Sequence, residues 1–465
     1  MATPVASDDV SHVIYDVSAT FTQGTTEYNY TMVNGKASLS SSGGAFGPDI
    51  KCLKEESEVL PPVNSIVAAL NQATPVSSIP KDFQCSLDNL FQVSVHSIDF
   101  AVCATGASGI TMHSSDVDVQ VTYLWDKPEV VSDTAVMECA TIIQPTQLTP
   151  IGRSLLTGAS IDHRESRKLA AAFDFSWGDS SCKCKSTPRP CIFIHGLGIK
   201  TELPQNQDSF EAYWGDDLPK HAPCCSSMKF AVVDTETIAW TDEKLQQKVC
   251  DRVLAVGKSK SKSKISDTII VAHSMGNLLL AGAIASGKCH LDTKTSTWVG
   301  LSGPMSGSMV SDHLQTACQG KDTRLMKAYV DTIGACPVKD AARSVANESG
   351  NFSSVILNKA YVKAQKVYQK NVDAVMCSGN GSGLVSRYQI KFWLMHRLVP
   401  FKSKDNDGMV EFDSCSKGIL ASKFGNTWQN RFYKSELNHY DTTFRAGDGL
   451  FNKAKMPLKW FECLL

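Results

Sequence analysis

The stretch Thr268-Ile-Ile-Val-Ala-His-Ser-Met-Gly-Asn-Leu-Leu-Leu-Ala281 decides how this chain is read. Thr268 to Val271 is a β-branched run of the kind that fills a buried strand. Asn277 to Ala281 opens a helix-like apolar run. Between them Ser274 stands at a turn, with Ala272 two residues before it and Gly276 two residues after. Strand, sharp turn and helix with a serine at the apex make a nucleophile elbow, which holds a hydroxyl clear of the backbone. A serine so placed predicts covalent acyl chemistry, provided the chain also supplies a base and an acid.

Outward from the elbow, strands alternate with helices. Cys191-Ile-Phe-Ile194 and Phe230-Ala-Val-Val233 are short apolar strands, and Thr297-Trp-Val-Gly-Leu301 follows the elbow helix. Ala239 to Ala255 reads as a helix with Leu245, Val249, Val253 and Leu254 on one side. This alternation predicts an α/β domain over 189–465, with a doubly wound, mostly parallel sheet. Residues 305–395 interrupt it. Thr323 to Val345 and Ser354 to Met376 have helical character, and a long insertion after a core strand sits where a cap or lid belongs. Lysines alternate with serines over Lys258–Lys264, a solvated loop in a chain that is neutral overall.

Residues 1–150 have another pattern. Val13 to Phe21, Glu27 to Val33, Val93 to Val102 and Val117 to Leu124 are β-branched, aromatic or alternating, and Asn34-Gly35 is a turn pair. They predict a β-rich, sandwich-like N-terminal domain. Residues 151–188 read as a polar linker, in which Arg164-Glu-Ser-Arg167 has the look of a processing site but reads first as an exposed charged stretch.

Bulk composition narrows the class. Of the 465 residues, 42% are hydrophobic and 20% charged, and the formal net charge is −1. No global electrostatic case exists for nucleic acid. No apolar run is long enough for a membrane span. The 16 cysteines are even in number and accompany N-x-S/T sites at Asn29, Asn347, Asn351 and Asn380. Together these predict a secreted, disulfide-bonded glycoprotein. Cys52, Cys85, Cys103 and Cys139 can form two bonds within the N-terminal domain, and the adjacent Cys224 and Cys225 take different partners. Met1 to Asp9 lacks basic and apolar signal regions, so a signal peptide is expected to precede this sequence in the precursor.

A serine hydroxyl needs a base, a histidine serves near neutral pH, and a carboxylate orients that histidine. After an elbow of this kind the acid and then the histidine follow in chain order. Asp407, in Lys404-Asp-Asn-Asp-Gly-Met-Val410, is the candidate acid on a turn, with Asp405 as runner-up; Val399 to Lys402 would supply the strand end before it. His439, in Leu437-Asn-His-Tyr-Asp441, is the only histidine after either acid. The backbone N–H groups of Leu197, in Ile194-His-Gly-Leu-Gly198, and of Met275 are the candidate oxyanion donors. His195 and His273 precede or adjoin the serine and read as positional.

These residues resemble the lipase-type α/β-hydrolases over roughly 190–305 and 395–445. The strand with His195-Gly196-Leu197, the elbow Ala272-His-Ser-Met-Gly276, the loop Gly303-Pro304 with Gly307-Ser308, and the pair Asn406-Asp407-Gly408 and Asn438-His439-Tyr-Asp441 carry the likeness. It implies Ser274 as nucleophile, Asp407 as acid and His439 as base. Ala272 stands where the family often has Gly, and Asn277 where many members have another. Asp441 matches a position that helps bind calcium in some secreted members, but no second acidic ligand is identifiable, so no metal and no cofactor are expected. The expected function is a secreted serine esterase or lipase acting on carboxylesters of hydrophobic acyl groups, with a hydrophobic ester or lipid as partner and transient contact with a lipid surface. The alternatives are an inactive hydrolase fold used for binding, and a lipid-glycan deacylase, thioesterase or acyltransferase with the same triad.

Overall fold

The structure is a computed structural model. It describes residues 2–6, 11–23, 26–42, 49–53, 63–76, 85–86, 89–95, 98–113, 118–124, 134–159, 182–257, 261–320, 335–449 and 452–465, apart from 382, 385, 387, 390, 391, 393, 394, 397 and 398. Arg164–Arg167, part of the lysine–serine run and the first half of Thr323–Val345 lie outside the described residues. The chain divides into two compact units, Met1–Ser180 with Leu450–Asn452, and Ser181–Gly449 with Lys453–Leu465.

Among the described residues the first unit holds two antiparallel sheets, of six and five strands. Val93–Val102, read as one strand, is two: Leu90–Val95 pairs antiparallel with Ile98–Ala104. Both flanks of the reversal are β-branched, so periodicity alone ran through it. Two helices were not anticipated. Val63–Leu70 is held to the first sheet by Asn64, whose side chain bonds both backbone groups of Tyr15. Pro150–Thr157, with Pro at its start and Thr149 as cap, occupies the beginning of the segment read as linker.

The second unit is built on seven strands: β1 (Arg189–Ile194), β2 (Cys225–Ala231), β3 (Ile269–His273), β4 (Thr297–Leu301), β5 (Ala374–Ser378), β6 (Phe424–Gly425) and β7 (Phe432–Ser435). Their order is β2-β1-β3-β4-β5-β7-β6, and every pairing is parallel. Its longer helices among the described residues are α1 (Glu243–Leu254), α2 (Met275–Ala285), α3 (Met309–Cys318), α4 (Val355–Asn371) and α5 (Pro457–Leu464). The sheet is covered on both faces. Ile192, Ile194, Ile270, Ala272, Val375 and Cys377 enter one core; Cys191, Phe193, Ile269, Val271, Ala374 and Met376 enter the other. A strand buried on both sides needs an unbroken apolar run, which is what the sequence has there.

The segment 305–395 is not wholly a cap. Helix α4 packs Leu357, Tyr361, Ala364 and Tyr368 into the sheet core, and β5 is a central strand. Val399–Lys402 forms no strand; β5 is the strand that precedes the acid loop. No helix among the described residues is long and apolar enough to cross a membrane.

All 16 cysteines are bonded, in eight disulfides. Cys52–Cys139 and Cys85–Cys103 lie in the first unit. Cys224 pairs with Cys184 and Cys225 with Cys191, so the two neighbours do have different partners. Asn347 is buried, and its side-chain oxygen accepts from Lys402, so that sequon is closed to a glycan in the folded protein; Asn351 is exposed.

Candidate active site

Ser274 caps the N-terminus of α2 directly after β3, with φ 52° and ψ −131°. A non-glycine residue at such a φ is strained and persists only where its surroundings fix it. Here they do. Ser274 N donates to Leu301 O on β4 at 2.8 Å. Asn277 Nδ2 donates to Ala272 O at 2.8 Å and Leu301 O at 3.1 Å. Asn277, a departure from the lipase pattern, is thus a brace for the elbow. Gly276 is required because a Cβ there would lie 2.7 Å from His195 O and 2.8 Å from Ile194 O on β1.

The loops after β5 and β7 bring the two other candidates to Ser274. Ser274 Oγ lies 2.9 Å from His439 Nε2, and His439 Nδ1 lies 2.8 Å from Asp407 Oδ2. The other carboxylate oxygen of Asp407 accepts from Met409 N at 2.9 Å and Val410 N at 2.7 Å. His439 N donates to Asp407 O, which ties the two loops at the backbone as well. All three side chains are buried. Asp405 is elsewhere: it is half-exposed and paired with Lys434 Nζ at 2.6 Å.

The loop after β1 is fixed from both sides at Gly196. Its N–H donates to Tyr213 Oη at 2.7 Å, and its carbonyl accepts from Thr235 Oγ1 at 2.7 Å. His195 Nε2 accepts from Val233 N at 3.1 Å, so its Nδ1 carries the proton and donates to Gly196 O at 2.9 Å. Burial lowers the His195 pKa to about 4, which keeps the ring in this neutral, structural form. Gly196 stands against Ser274: a Cβ there would meet Ser274 Cβ at 2.5 Å. The next N–H, of Leu197, and that of Met275 at the start of α2 have no acceptor among the described residues. A helix N-terminus favours negative charge.

His273 Nε2 donates to His439 O at 3.0 Å, and its Nδ1 faces Tyr213 Oη at 2.6 Å. Its pKa is held well below the ordinary histidine value, first by burial and then by electrostatic coupling to His439 and Arg445. Sequence reading missed Tyr213, Thr235 and Arg445, since their partners lie far away in the chain. Arg445 lies over the rings of Tyr213 at 4.8 Å and Tyr440 at 4.6 Å. Asp441 accepts from Leu384 N at 2.6 Å and Asn438 N at 3.3 Å. Among the described residues no group of three or more His, Cys, Asp or Glu is placed to hold a metal ion.

A parallel sheet with a serine elbow at the end of the interior strand β3 has the α/β-hydrolase fold. Residues 187–332 match the family described as "Putative serine esterase (DUF676)". The matched segment lies within the second unit, from the start of β1 to beyond α3, and contains the elbow at Ser274. No curated protein matches the chain in sequence. Solved structures similar to it include the mature form of the lipase BlEst2 from Bacillus licheniformis (12% identical, covering 56% of this chain and 88% of that one, TM-score 0.36). The Staphylococcus hyicus lipase is 12% identical over 60% of this chain and 94% of that one, with TM-score 0.31. EstA from Clostridium botulinum is 13% identical over 60% and 87%, with TM-score 0.32. Likenesses this distant carry no argument about activity.

Proposed function

We propose that this protein is a secreted serine hydrolase that cleaves carboxylesters of hydrophobic acyl groups. The observation that carries the reading is the continuous hydrogen-bonded line Ser274 Oγ, His439 Nε2, His439 Nδ1, Asp407 Oδ2, at 2.9 and 2.8 Å. Ser274 Oγ attacks the ester carbonyl while His439 Nε2 takes its proton. The oxyanion of the tetrahedral intermediate is met by the N–H groups of Leu197 and Met275. His439 then gives its proton to the leaving alcohol, and an acyl-enzyme remains on Ser274. Water, deprotonated by His439, releases the acid. The Asp407 carboxylate stabilises the imidazolium at both transfers. Support for an apolar acyl group comes from Phe392 and Tyr440, whose rings meet edge to face at 4.7 Å, with Phe392 6.5 Å from the His439 ring. Eight disulfides with no free cysteine support an oxidising, extracellular setting.

The test is fluorophosphonate labelling together with p-nitrophenyl esters of graded chain length. Wild type is expected to label and to hydrolyse longer acyl chains faster. Ser274→Ala is expected to lose labelling and at least ~10⁴-fold in kcat. A folded wild-type protein that neither labels nor turns over any ester would overturn the reading and favour a binding role.

A further inference from the structure

Two parts of the site have to be right at once: the loop that offers the Leu197 N–H and the loop that carries His439. They come from opposite ends of the hydrolase unit, yet one buried chain of hydrogen bonds joins them. Gly196 N donates to Tyr213 Oη at 2.7 Å. Tyr213 Oη lies 2.6 Å from His273 Nδ1, and His273 Nε2 lies 3.0 Å from His439 O. The donors can be assigned without choice. A carbonyl only accepts, so His273 Nε2 carries the proton. The ring is neutral, so Nδ1 is a lone pair and Tyr213 O–H donates to it. Gly196 N–H then fills an acceptor position on the tyrosine oxygen. Every link runs in one direction, from the oxyanion loop to the His439 backbone.

A second connection runs alongside. The Arg445 guanidinium lies between the Tyr213 and Tyr440 rings, and Tyr440 directly follows His439. Arg445 Nε donates to Thr443 Oγ1 at 2.7 Å, and its buried Nη2 has no hydrogen-bond partner among the described residues, so ring faces supply much of its stabilisation.

We infer that Tyr213 is a positioning residue that couples the oxyanion loop to the base through His273. The inference rests on the serine-hydrolase reading. Its physical content is tautomer control. Without the tyrosine proton, His273 can hold its own proton on Nδ1, and the Nε2 lone pair then faces the His439 carbonyl. The base loop and the Gly196 loop would loosen together, with substrate contacts untouched.

Tyr213→Phe keeps the ring, its stacking and the Arg445 contact. It is expected to lower kcat by roughly 10- to 100-fold, the usual scale for an outer partner of a reacting group, with KM within about 2-fold of wild type. His273→Gln is expected to fall in the same range, and the double variant to be no slower than the slower single, because both cut one chain. Effects that multiply would overturn the coupling, as would full kcat in Tyr213→Phe beside an active wild type. A parallel measurement is independent of activity: histidine ¹⁵N–¹H spectra of the wild type should show His273 as the Nε2–H tautomer, and the opposite tautomer refutes the chain. An inert, unlabelled wild type with Nε2–H at His273 would sink the hydrolase reading and leave the hydrogen-bond chain standing.

Discussion

Two carboxylates two residues apart have opposite surroundings. Asp407 is buried, faces His439 and accepts two backbone N–H bonds; Asp405 lies at the surface against Lys434. Asp407→Asn is therefore expected to lose about 10⁴-fold in kcat, and Asp405→Asn to stay within about 3-fold, measured on the same soluble ester. A third acid should show itself in stability. Burial raises the pKa of Asp441 from 3.8 to about 7. A raised carboxyl binds its proton more tightly in the folded state. Its contribution is therefore full below about pH 4 and is lost as pH rises toward 7, on the order of 2–4 kcal/mol. Thermal melts from pH 4 to 8 should show this decline in wild type and a shallower one in Asp441→Asn. Ser274, His439 and Asp407 were legible because chain order, not proximity, singles them out: His439 is the only histidine after the Asp-Gly turn. Tyr213 was not. Its hydroxyl partners are 17 and 60 residues away, and an isolated Glu-Ala-Tyr-Trp segment has no period to read.

Elements were legible where burial imposes a pattern. β1, β3 and β4 are buried along both faces, and their apolar runs gave them away. β5 was absorbed into a helix because Ala374-Val-Met-Cys-Ser378 directly follows α4 and its apolar residues extend the helical ones. The break is at Val372, whose extended backbone ends the helix. Contact across the sheet overrides local propensity at that point. The Cys377–Cys415 bond, spanning 38 residues, fastens β5 to the short helix Phe412–Cys415 just beyond the acid loop. Replacing both cysteines by alanine is expected to cost about 3 kcal/mol in urea unfolding. The β1 loop and the elbow pack too closely for a side chain at Gly196. Gly196→Ala should displace the loop by a fraction of an ångström to about 1 Å and lower kcat by ~10²-fold, a loss that chain-length series should show equally for short and long esters.

At the scale of the whole chain, the even cysteine count pointed to disulfides on composition alone, and all 16 cysteines are bonded. Connectivity was beyond reach, since spacing along the chain does not say which cysteines meet. Cys182–Cys463 joins residues 281 apart, at the two ends of the second unit. That bond turns the unit from a line into a ring. Tension applied at Cys182 and at Leu465 passes through one sulfur–sulfur link and bypasses the sheet, the elbow and both loops that meet at Ser274. Drawn from its ends, the folded body bears almost none of the load, and a single-molecule extension trace should lengthen by only a few residues until a reductant opens the ring.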